Sequence, residues 1–459
     1  MRYTPYDYQR KATQWVLDNP MCGLFLDMGL GKTVSTLTAL QLLMDNCEIT
    51  TTLVVAPKKV AETTWTTEAA KWDHLRGLRV AKVMGPEKQR RQALASKADV
   101  YVVNRDNFVW LVGLYGGHLP FDALVIDELT SFKNSKSQRF KAMRIARASM
   151  QRVIGLTGTP APNGLIDLWG QMYCIDGGQR LGRSVTRYRE THFTTYKWNN
   201  IVVRCDIRPG HEKIIRDSIS DVCLSMQAKD YLQLPGMMVH TVAVELPPAV
   251  MASYNKFERE KVLEFRREHE GEPTNILANS AAALMNKLAQ FSNGAVYDGE
   301  HNAHEVHSEK LDRLAEIVEG ANGNSVLVFY QFRHDAERIA HKLKGYRVEM
   351  YQGEKQLNDW NAGHIDVLLA HPASTAYGLN MQQGGHYIVW FGTGWDLELF
   401  QQANARLHRQ GQSHPVTVYK LICAHTVDER ASASLESKKV KQQSLLDSLN
   451  YLLRKHGNG

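Results

Sequence analysis

Short runs of β-branched and aliphatic residues alternate with longer amphipathic stretches in the first third of the chain. The runs lie at residues 51–56, 99–104, 121–127 and 152–158, and most positions in each are apolar. Such runs are typical of strands buried on both faces, and their alternation with helical stretches is typical of parallel sheets. The pattern therefore predicts a parallel α/β unit.

A second series of the same kind occupies the last third of the chain. Its runs lie at residues 325–330, 346–351, 365–370, 386–391 and 416–422. Because the two series are separated by more than a hundred residues of different character, we predict two parallel-sheet units and an α/β fold class.

The intervening segment, about 165–320, is richer in helical pattern and in long charged side chains. Residues 253–272 alternate in charge as a solvated helix does, which predicts helical projections from both units. Adjacent Pro235 and Gly236 indicate a linker at 232–237. The predicted organisation is a first domain over 1–235, with its core at about 1–175 and its projection at about 165–235, and a second domain over 236–459, with its projection at about 250–305 and its core at about 306–459.

Composition narrows the class of protein without naming a function. With 459 residues, 43% hydrophobic and 22% charged, the chain is long enough for more than one core. No stretch has the roughly 20 apolar residues of a membrane span, and the first residues lack a signal-peptide core. We therefore expect a soluble cytoplasmic protein with no membrane partner.

Cysteine spacing and net charge add little to this picture. The six cysteines form no CxxC pair, so they lack the spacing of a zinc knuckle or a disulfide framework. A net charge of +7 is compatible with a polyanionic partner, although many proteins with a similar excess bind no polyanion. Charge alone therefore does not assign a partner.

The segment at residues 24–43 has the order of a phosphate-binding loop: a short apolar strand, glycines, a lysine and an amphipathic helix. Glycines let backbone N–H groups close on phosphate oxygens, and the lysine adds a positive charge. The general GxxxxGK[ST] pattern fails at Leu26, which occupies the position of the first glycine. The predicted nucleotide-binding residues here are Met28, Gly29, Leu30, Gly31, Lys32 and Thr33.

Two adjacent carboxylates follow the predicted strand at 121–127. Asp127 would hold Mg²⁺ together with the Thr33 hydroxyl, and Glu128 would orient and deprotonate the attacking water. A solvated acidic turn is the alternative reading of such a pair. Together with the phosphate loop, the pair predicts a site that hydrolyses a nucleoside triphosphate, in which Lys32, Asp127 and Glu128 are catalytic.

A third segment, QANARLHRQGQ at residues 402–412, contains two arginines three positions apart. On a helix, Arg406 and Arg409 would share one face, where both guanidinium groups could reach a γ-phosphate presented by the other lobe. A basic helix that binds nothing is the alternative. We predict that both arginines are catalytic.

With these three segments in one chain, the sequence resembles helicase superfamily two and, within it, the Swi/Snf family of double-stranded DNA translocases. The resemblance covers nearly the whole chain and implies two tandem RecA-like lobes, ATP and Mg²⁺ as cofactors, and duplex DNA as partner in preference to single strands or RNA. It also implies that Gln9 senses adenine. The further motif matches are Ala56, Pro57, Trp65, Glu68 and Trp72; Thr157, Gly158, Thr159, Pro160 and Asn163; and Gln402, Ala403, Arg406, His408, Arg409, Gly411 and Gln412.

The sequence departs from the family pattern at three places. DELT at 127–130 keeps both carboxylates of the usual DEAH and loses its histidine, which puts the coupling of hydrolysis in doubt. The serine/glycine motif matches at Ser374, Gly378, Leu379 and Asn380 but has Ala376 and Tyr377 where glycines are common. Asp396 follows Trp395 where the family has a WNP sequence.

The resemblance also implies which residues follow the phosphates of one DNA strand: Pro57, Lys58, Asn104 and Thr157 in the first lobe, and Gln331, Ser374 and Trp395 in the second. Contacts of this kind fix a motor on DNA without reading bases. Residues 133–152 are rich in lysine and arginine and either extend this groove or form a solvated helix face. His301, His304 and His307 lie near one another in the sequence, and a surface loop is favoured over a metal site there.

The leading functional hypothesis is a DNA-dependent ATPase that translocates on duplex DNA, each cycle closing the arginines onto nucleotide between the lobes. A strand-separating DNA or RNA helicase and an ATP-gated DNA clamp with weak turnover remain as alternatives. The chain lacks the large inserts of chromatin-remodelling enzymes, which favours a bacterial or viral role in replication, recombination or repair, with partner proteins from those processes.

Overall fold

A computed structural model describes residues 1–27, 29–158, 160–161, 164–198, 201–231, 235–269, 274–375, 379–436 and 441–456. Within these ranges, the side chains of 197–198, 201–204, 228–229, 274–279, 441–443 and 446 are not described. The chain divides into two compact units. The first comprises Met1–Tyr196 and Cys205–Gln233, and the second comprises Lys197–Arg204 and Leu234–Gly459.

Residues 1–231 alternate between helices and strands. The elements are α1 (Asp7–Asp18), β1 (Met21–Leu26), α2 (Lys32–Asp45), β2 (Thr52–Ala56), α3 (Trp65–Lys71), β3 (Val80–Val83), α4 (Glu87–Ala95), β4 (Val100–Asn104), α5 (Arg105–Leu114), β5 (Ala123–Asp127), α6 (Gln138–Ala146), β6 (Arg152–Thr157), α7 (Leu168–Asp176), α8 (Val185–His192), β7 (Phe193–Trp198), β8 (Ile201–Ile207), α9 (His211–Ile219), β9 (Cys223–Met226) and α10 (Ala228–Tyr231).

The first unit is built on a seven-stranded sheet in the order β3-β4-β2-β5-β6-β1-β9, with every described pair parallel. Strands β2, β4 and β5 are buried at all five positions, as expected for strands covered by helices on both faces. The core on one face joins Leu53 and Val103 of the sheet to Phe108 of α5 and Met172 of α7. Because all strands run the same way, their carboxyl ends lie along one edge.

From residue 237 onward the chain again alternates. The elements are β10 (Met237–Val244), α11 (Pro248–Glu268), α12 (Thr274–Asn293), β11 (Ala295–Tyr297), β12 (Ala303–Glu305), α13 (Glu309–Gly320), β13 (Val326–Phe329), α14 (Arg333–Lys342), β14 (Val348–Met350), α15 (Glu354–Asn361), β15 (Val367–Ala370), α16 (Pro372–Thr375), β16 (Tyr387–Trp390), α17 (Leu397–Asn404), β17 (Val416–Cys423), α18 (Val427–Glu436) and α19 (Lys441–His456).

The second unit contains a six-stranded parallel sheet in the order β10-β17-β16-β13-β15-β14. One face packs on α13 and α14 through Leu314 and Ile339, and the other buries Trp360 and Leu407. A separate apolar cluster joins α11, α12, α18 and α19. The two α/β units with parallel sheets that the sequence predicts are therefore confirmed.

The segment between the two sheets is less purely helical than predicted. Strand β9 lies within residues 165–235 and pairs with β1, so this part of the chain contributes to the first sheet. Strands β7 and β8 form a two-stranded sheet, and β11 pairs with β12 in a short antiparallel hairpin. Short strands of this kind carry little periodicity, because their burial depends on a partner that is distant in sequence.

The histidines at 301–307 belong to that hairpin region and not to a simple surface loop. His304 Nε2 lies 2.7 Å from Asp298 Oδ2, and the buried His307 donates from Nε2 to the Phe291 carbonyl at 2.8 Å. Among the described residues, no group of three or more His, Cys, Asp or Glu side chains is placed to hold a metal ion. The helices that the structure describes include none with both the length and the hydrophobicity of a membrane span.

Candidate ATP site and nucleic-acid interface

The phosphate-loop segment connects the end of β1 to the start of α2. Gly29 and Gly31 have φ angles of 90° and 71°, values that a side chain would disfavour, and Gly31 precedes the first turn of α2. Lys32 donates from Nζ to the carbonyls of Leu26 at 2.6 Å and Asp27 at 3.3 Å. The ammonium group therefore lies over the loop at the start of a helix, where anions bind. Met28 is outside the described residues.

Gln9 of α1 lies against this loop. Its Oε1 accepts from the Tyr6 backbone N–H at 3.0 Å, and its side-chain amide occupies the space that a Cβ on Gly31 would need. The side chain is buried. The residue that the resemblance assigns to adenine sensing is thus brought next to a glycine of the phosphate loop, more than twenty positions away in sequence.

The acidic pair lies at the end of β5. Asp127 is buried, and its Oδ2 accepts from the Trp65 indole N–H at 3.0 Å. Burial raises the pKa of Asp127, and the Trp65 hydrogen bond and the charges of Lys32 and Arg105 act in the opposite direction. Glu128 follows with φ 55° and ψ 66°, a left-handed conformation that costs a non-glycine residue roughly 1–2 kcal/mol. This conformation turns the chain sharply between the two carboxylates.

Residues predicted to contact DNA follow neighbouring strands at the same edge of the first sheet. Pro57 and Lys58 follow β2, Asn104 ends β4, and Thr157 ends β6. Strand β2 lies directly between β4 and β5, so Pro57 follows the strand adjacent to the one that Asp127 ends. The Oδ1 atom of Asn104 is buried and has no hydrogen-bond partner among the described groups. Thr157 is also buried. Thr159 and Asn163 are outside the described residues.

In the second unit, the two predicted arginines meet at one carbonyl. Arg406 and Arg409 both donate from Nη1 to the Leu379 oxygen, at 3.4 and 2.9 Å. Helix α17 ends at Asn404, so the arginines lie in the following turns and not on one helical face as predicted. They converge because the turns fold back on the serine/glycine motif that contains Leu379.

Several buried side chains fix the turns that carry the arginines. Gln412 donates from Nε2 to the carbonyls of Gln382, Gly385 and Leu407 at 3.0 to 3.3 Å. The Trp390 indole donates to the Asn404 Oδ1 at 2.9 Å, which ties the end of β16 to the end of α17. These contacts anchor both sides of the arginine segment to the sheet.

The three DNA contacts predicted in the second lobe follow strands of the second sheet. Gln331 lies just after β13, and Ser374 lies in α16 after β15, where its hydroxyl donates to the His371 carbonyl at 2.7 Å. Trp395 is different, because its side chain is only 7% exposed and belongs to the apolar cluster of α11, α12, α18 and α19. Trp395 thus packs within this cluster, and its phosphate contact stays a prediction.

The basic segment at 133–152 divides between packing and exposed positions. Arg152 is buried and donates to the Val16 carbonyl and to Glu48, while Arg139 pairs with Asp106. Lys141 and Arg144 of α6 are exposed. Only part of the segment is thus available to a polyanion.

The sequence did not predict two contacts between distant residues. Trp65 matches a motif, but no neighbouring residue indicates that its indole N–H donates to Asp127. Lys310 is buried and forms an ion pair with Asp428 at 2.5 Å, although its sequence context is that of an ordinary helical lysine. Lysine is almost never fully buried unless it is paired. Here the partner, Asp428, is 118 positions away in the sequence.

Known proteins resemble this chain over most of its length. The putative protein p41 of Acyrthosiphon pisum secondary endosymbiont phage 1 is 37% identical over 97% of this chain and 99% of its own. An uncharacterized ATP-dependent helicase of Mycoplasma genitalium is 24% identical over 97% of this chain, which spans 42% of that relative. The Pyrococcus furiosus Hef helicase domain shares the fold with a TM-score of 0.51, at 15% identity, over 94% of this chain and 98% of the domain.

Two family models match consecutive parts of the chain. The SNF2-related domain matches residues 8–294, and the helicase conserved C-terminal domain matches residues 309–411. The first match alone covers more than half of the sequence and includes the phosphate loop and both carboxylates. The second includes Leu379, Arg406 and Arg409. The chain therefore belongs to the SNF2-related family and is an ATP-dependent enzyme of the helicase class.

Proposed function

We propose that this protein is a DNA-dependent ATPase that translocates along duplex DNA. The observation that carries the proposal is the arrangement at one edge of the first sheet. Lys32 and Asp127, which would bind the nucleotide and its metal ion, lie there, and Pro57 follows the strand adjacent to that of Asp127. Neighbouring loops of one sheet would thus bind the nucleotide and a DNA strand.

The residues of the first unit fit Mg²⁺ and ATP. Thr33 and Asp127 supply only oxygen donors, as Mg²⁺ prefers, and a cation beside Asp127 would offset the burial that raises the pKa of this carboxyl. When bound, Mg²⁺ would neutralise phosphate charge. Lys32 would bind the terminal phosphates, and Glu128 would orient the attacking water and accept its proton.

In the second unit, Arg406 and Arg409 would supply the remaining positive charge. Their shared contact with the Leu379 carbonyl supports a joint role, because it holds both guanidinium groups at one place. Preorganised positive charge stabilises the transition state of phosphoryl transfer more than the ground state. Hydrolysis would thus require groups from both units in the same cycle.

The DNA path would use Pro57, Lys58 and Asn104 of the first unit, with Thr157 acting through its backbone because its side chain is buried. Gln331 and Ser374 of the second unit would continue the path. Such contacts hold the phosphate backbone without reading bases, as a motor on any sequence requires. A motor of this kind would act in replication, recombination or repair.

ATP hydrolysis measured with duplex DNA, single-stranded DNA, RNA and no nucleic acid tests the proposal. We expect duplex DNA to give the largest rate. Equal rates in all four conditions would remove DNA dependence and leave a nucleotide-gated binding protein. Release of a labelled strand from a partial duplex would indicate strand separation in place of translocation alone.

The arginine role is tested by Arg409→Ala, with Arg313→Ala as the matched control. Arg313 is an exposed arginine of α13 that pairs only locally, with Glu316. We expect Arg409→Ala to lower kcat about 10³-fold or more while ATP binding changes little, since such arginines contribute ~10³ to 10⁵ in rate. Loss of ATP binding, or an equal effect of both variants, would contradict the assignment.

A further inference from the structure

The Trp65 indole connects the predicted DNA-contact segment of the first unit to the predicted metal ligand. Trp65 is completely buried, and its Nε1 donates to Asp127 Oδ2 at 3.0 Å. An indole N–H can only donate, so Trp65 engages one carboxylate oxygen as an acceptor, and the Glu128 backbone N–H also donates to this carboxylate. The contact joins residues 62 positions apart in sequence.

Trp65 belongs to a helical segment that begins at the predicted DNA contacts. The chain is helical without interruption from Lys58 to Lys71, and the part from Val60 to Thr64 has the wide π-helical turn. The Pro57 carbonyl accepts the first helical hydrogen bond, from Ala61 N–H at 2.8 Å. Single π turns inside α-helices are rare and occur often at functional sites.

A second loop of predicted DNA contacts also acts on this carboxylate. Arg105, the first residue of α5, follows Asn104 directly. Its positive charge attracts the Asp127 carboxylate. Two DNA-contact loops are therefore each followed by a residue whose hydrogen bond or charge acts on Asp127.

We propose that Trp65 is a positioning residue that orients Asp127 for the metal–nucleotide complex, and that the helical segment 58–71 transmits DNA binding at its first turn to this carboxylate. The inference rests on the proposed function, because it takes Asp127 as a metal ligand and Pro57 and Lys58 as DNA contacts. In this scheme, phosphate binding at Lys58 shifts the start of the segment, and Trp65 moves Asp127 with it.

The test compares Trp65→Phe with Trp169→Phe. Trp169 is a buried tryptophan of α7 in the same unit, and its indole donates to the Gly182 carbonyl at 2.9 Å, away from Asp127. Binding of a fluorescent ADP analogue is measured with Mg²⁺ and with EDTA, without DNA. Partners that orient metal ligands typically contribute 10- to 100-fold to metal affinity, so we expect Trp65→Phe to raise the Mg²⁺ concentration for half-maximal tightening by about 10-fold or more. Trp169→Phe should leave it unchanged.

A double-mutant cycle separates positioning from general destabilisation. In an Asp127→Asn background, Trp65→Phe should have no further effect on Mg²⁺-dependent binding, because both changes act on one carboxylate. Additive effects in the cycle, or identical behaviour of the two tryptophan variants, would overturn the positioning role. Should the phenylalanine variant not fold, Trp65→Tyr also removes the indole donor while it keeps an aromatic ring.

The transmission step is tested by the ratio of ATPase rates with and without duplex DNA. We expect Trp65→Phe to reduce this ratio several-fold at saturating Mg²⁺, and Trp169→Phe to preserve it. An unchanged ratio in Trp65→Phe would overturn transmission alone. A wild-type protein that DNA does not stimulate would overturn the proposed function and transmission together, while the Mg²⁺ titration would still decide the positioning role.

Discussion

Lys310 is the most fully buried lysine of the described residues, and its surroundings supply the charge and the hydrogen bonds it needs. Its Nζ pairs with Asp428 and donates to Asn293 Oδ1 at 2.7 Å and to the Phe391 carbonyl at 3.1 Å. Burial alone would lower the pKa of Lys310, but the Asp428 carboxylate outweighs it, so the pKa is raised. The lysine therefore stays charged in the folded protein.

Replacement of Lys310 by methionine should destabilise the second unit by about 3–5 kcal/mol, because it leaves Asp428 buried without its partner. The control is Lys342→Met, which breaks the half-exposed pair with Asp312. Exposed pairs contribute about 0–1 kcal/mol. Urea unfolding followed by circular dichroism measures both changes, and equal losses would show that the buried pair is not a stabilising contact.

His307 makes the stability of the second unit depend on pH. Burial lowers the pKa of His307 to about 4, so it is neutral in the folded protein while the unfolded chain takes up a proton near pH 6.5. The unfolded state binds more protons below that pH, so stability falls as the pH decreases. From pH 7 to pH 5 the loss should be about 2 kcal/mol. In His307→Gln this component should be absent, and urea titrations at both pH values would reveal whether it persists.

At the scale of elements, the arginine segment is held by a turn and not by a helix. Gln412 closes this turn on three carbonyls that come from two different stretches of chain. The arginines themselves are anchored on Leu379, so the serine/glycine motif and the arginine motif form one structural element. The position of both guanidinium groups depends on contacts that no helical periodicity describes.

Gln412→Ala should lower ATP turnover about 10- to 100-fold, because a displacement of roughly 1 Å in a positioning group can have effects of that size. ATP binding should be unchanged, since the phosphate loop belongs to the first unit. Gln401→Ala, an exposed position on α17, serves as the control. Steady-state kinetics with a separate nucleotide-binding titration distinguish the two steps, and a rise in the nucleotide dissociation constant would contradict this account.

At the scale of the whole molecule, the proposed DNA path consists of phosphate contacts. Such binding releases counterions from DNA, so the affinity falls steeply with salt. We expect the duplex concentration for half-maximal ATPase stimulation to rise by orders of magnitude between about 50 and 200 mM salt if six or more phosphates are contacted. The rate without DNA should change little, and a salt-independent half-maximal concentration would exclude a phosphate path.

The first unit and the second unit were both predictable in outline from the sequence. Runs such as 51–56 and 365–370 are so apolar that only a strand covered on both faces accounts for them, and β2 and β15 lie there. The loop at Gly29 to Lys32 and the pair at Asp127 and Glu128 were equally clear, because their chemistry depends on neighbours in sequence. Local pattern determined these features.

Tertiary structure alone decided which distant residues meet. The Trp65 bond to Asp127, the burial of Lys310 beside Asp428 and the convergence of two arginines on Leu379 each join separate stretches of chain. The packing of Trp395 among the helices of the second unit is another contact that its motif does not indicate. A sequence pattern records the environment of a strand or a loop, whereas a long-range contact depends on how those elements pack. For that reason the sequence determined the glycine-containing loop before α2, and the structure decided how Asp127 is held.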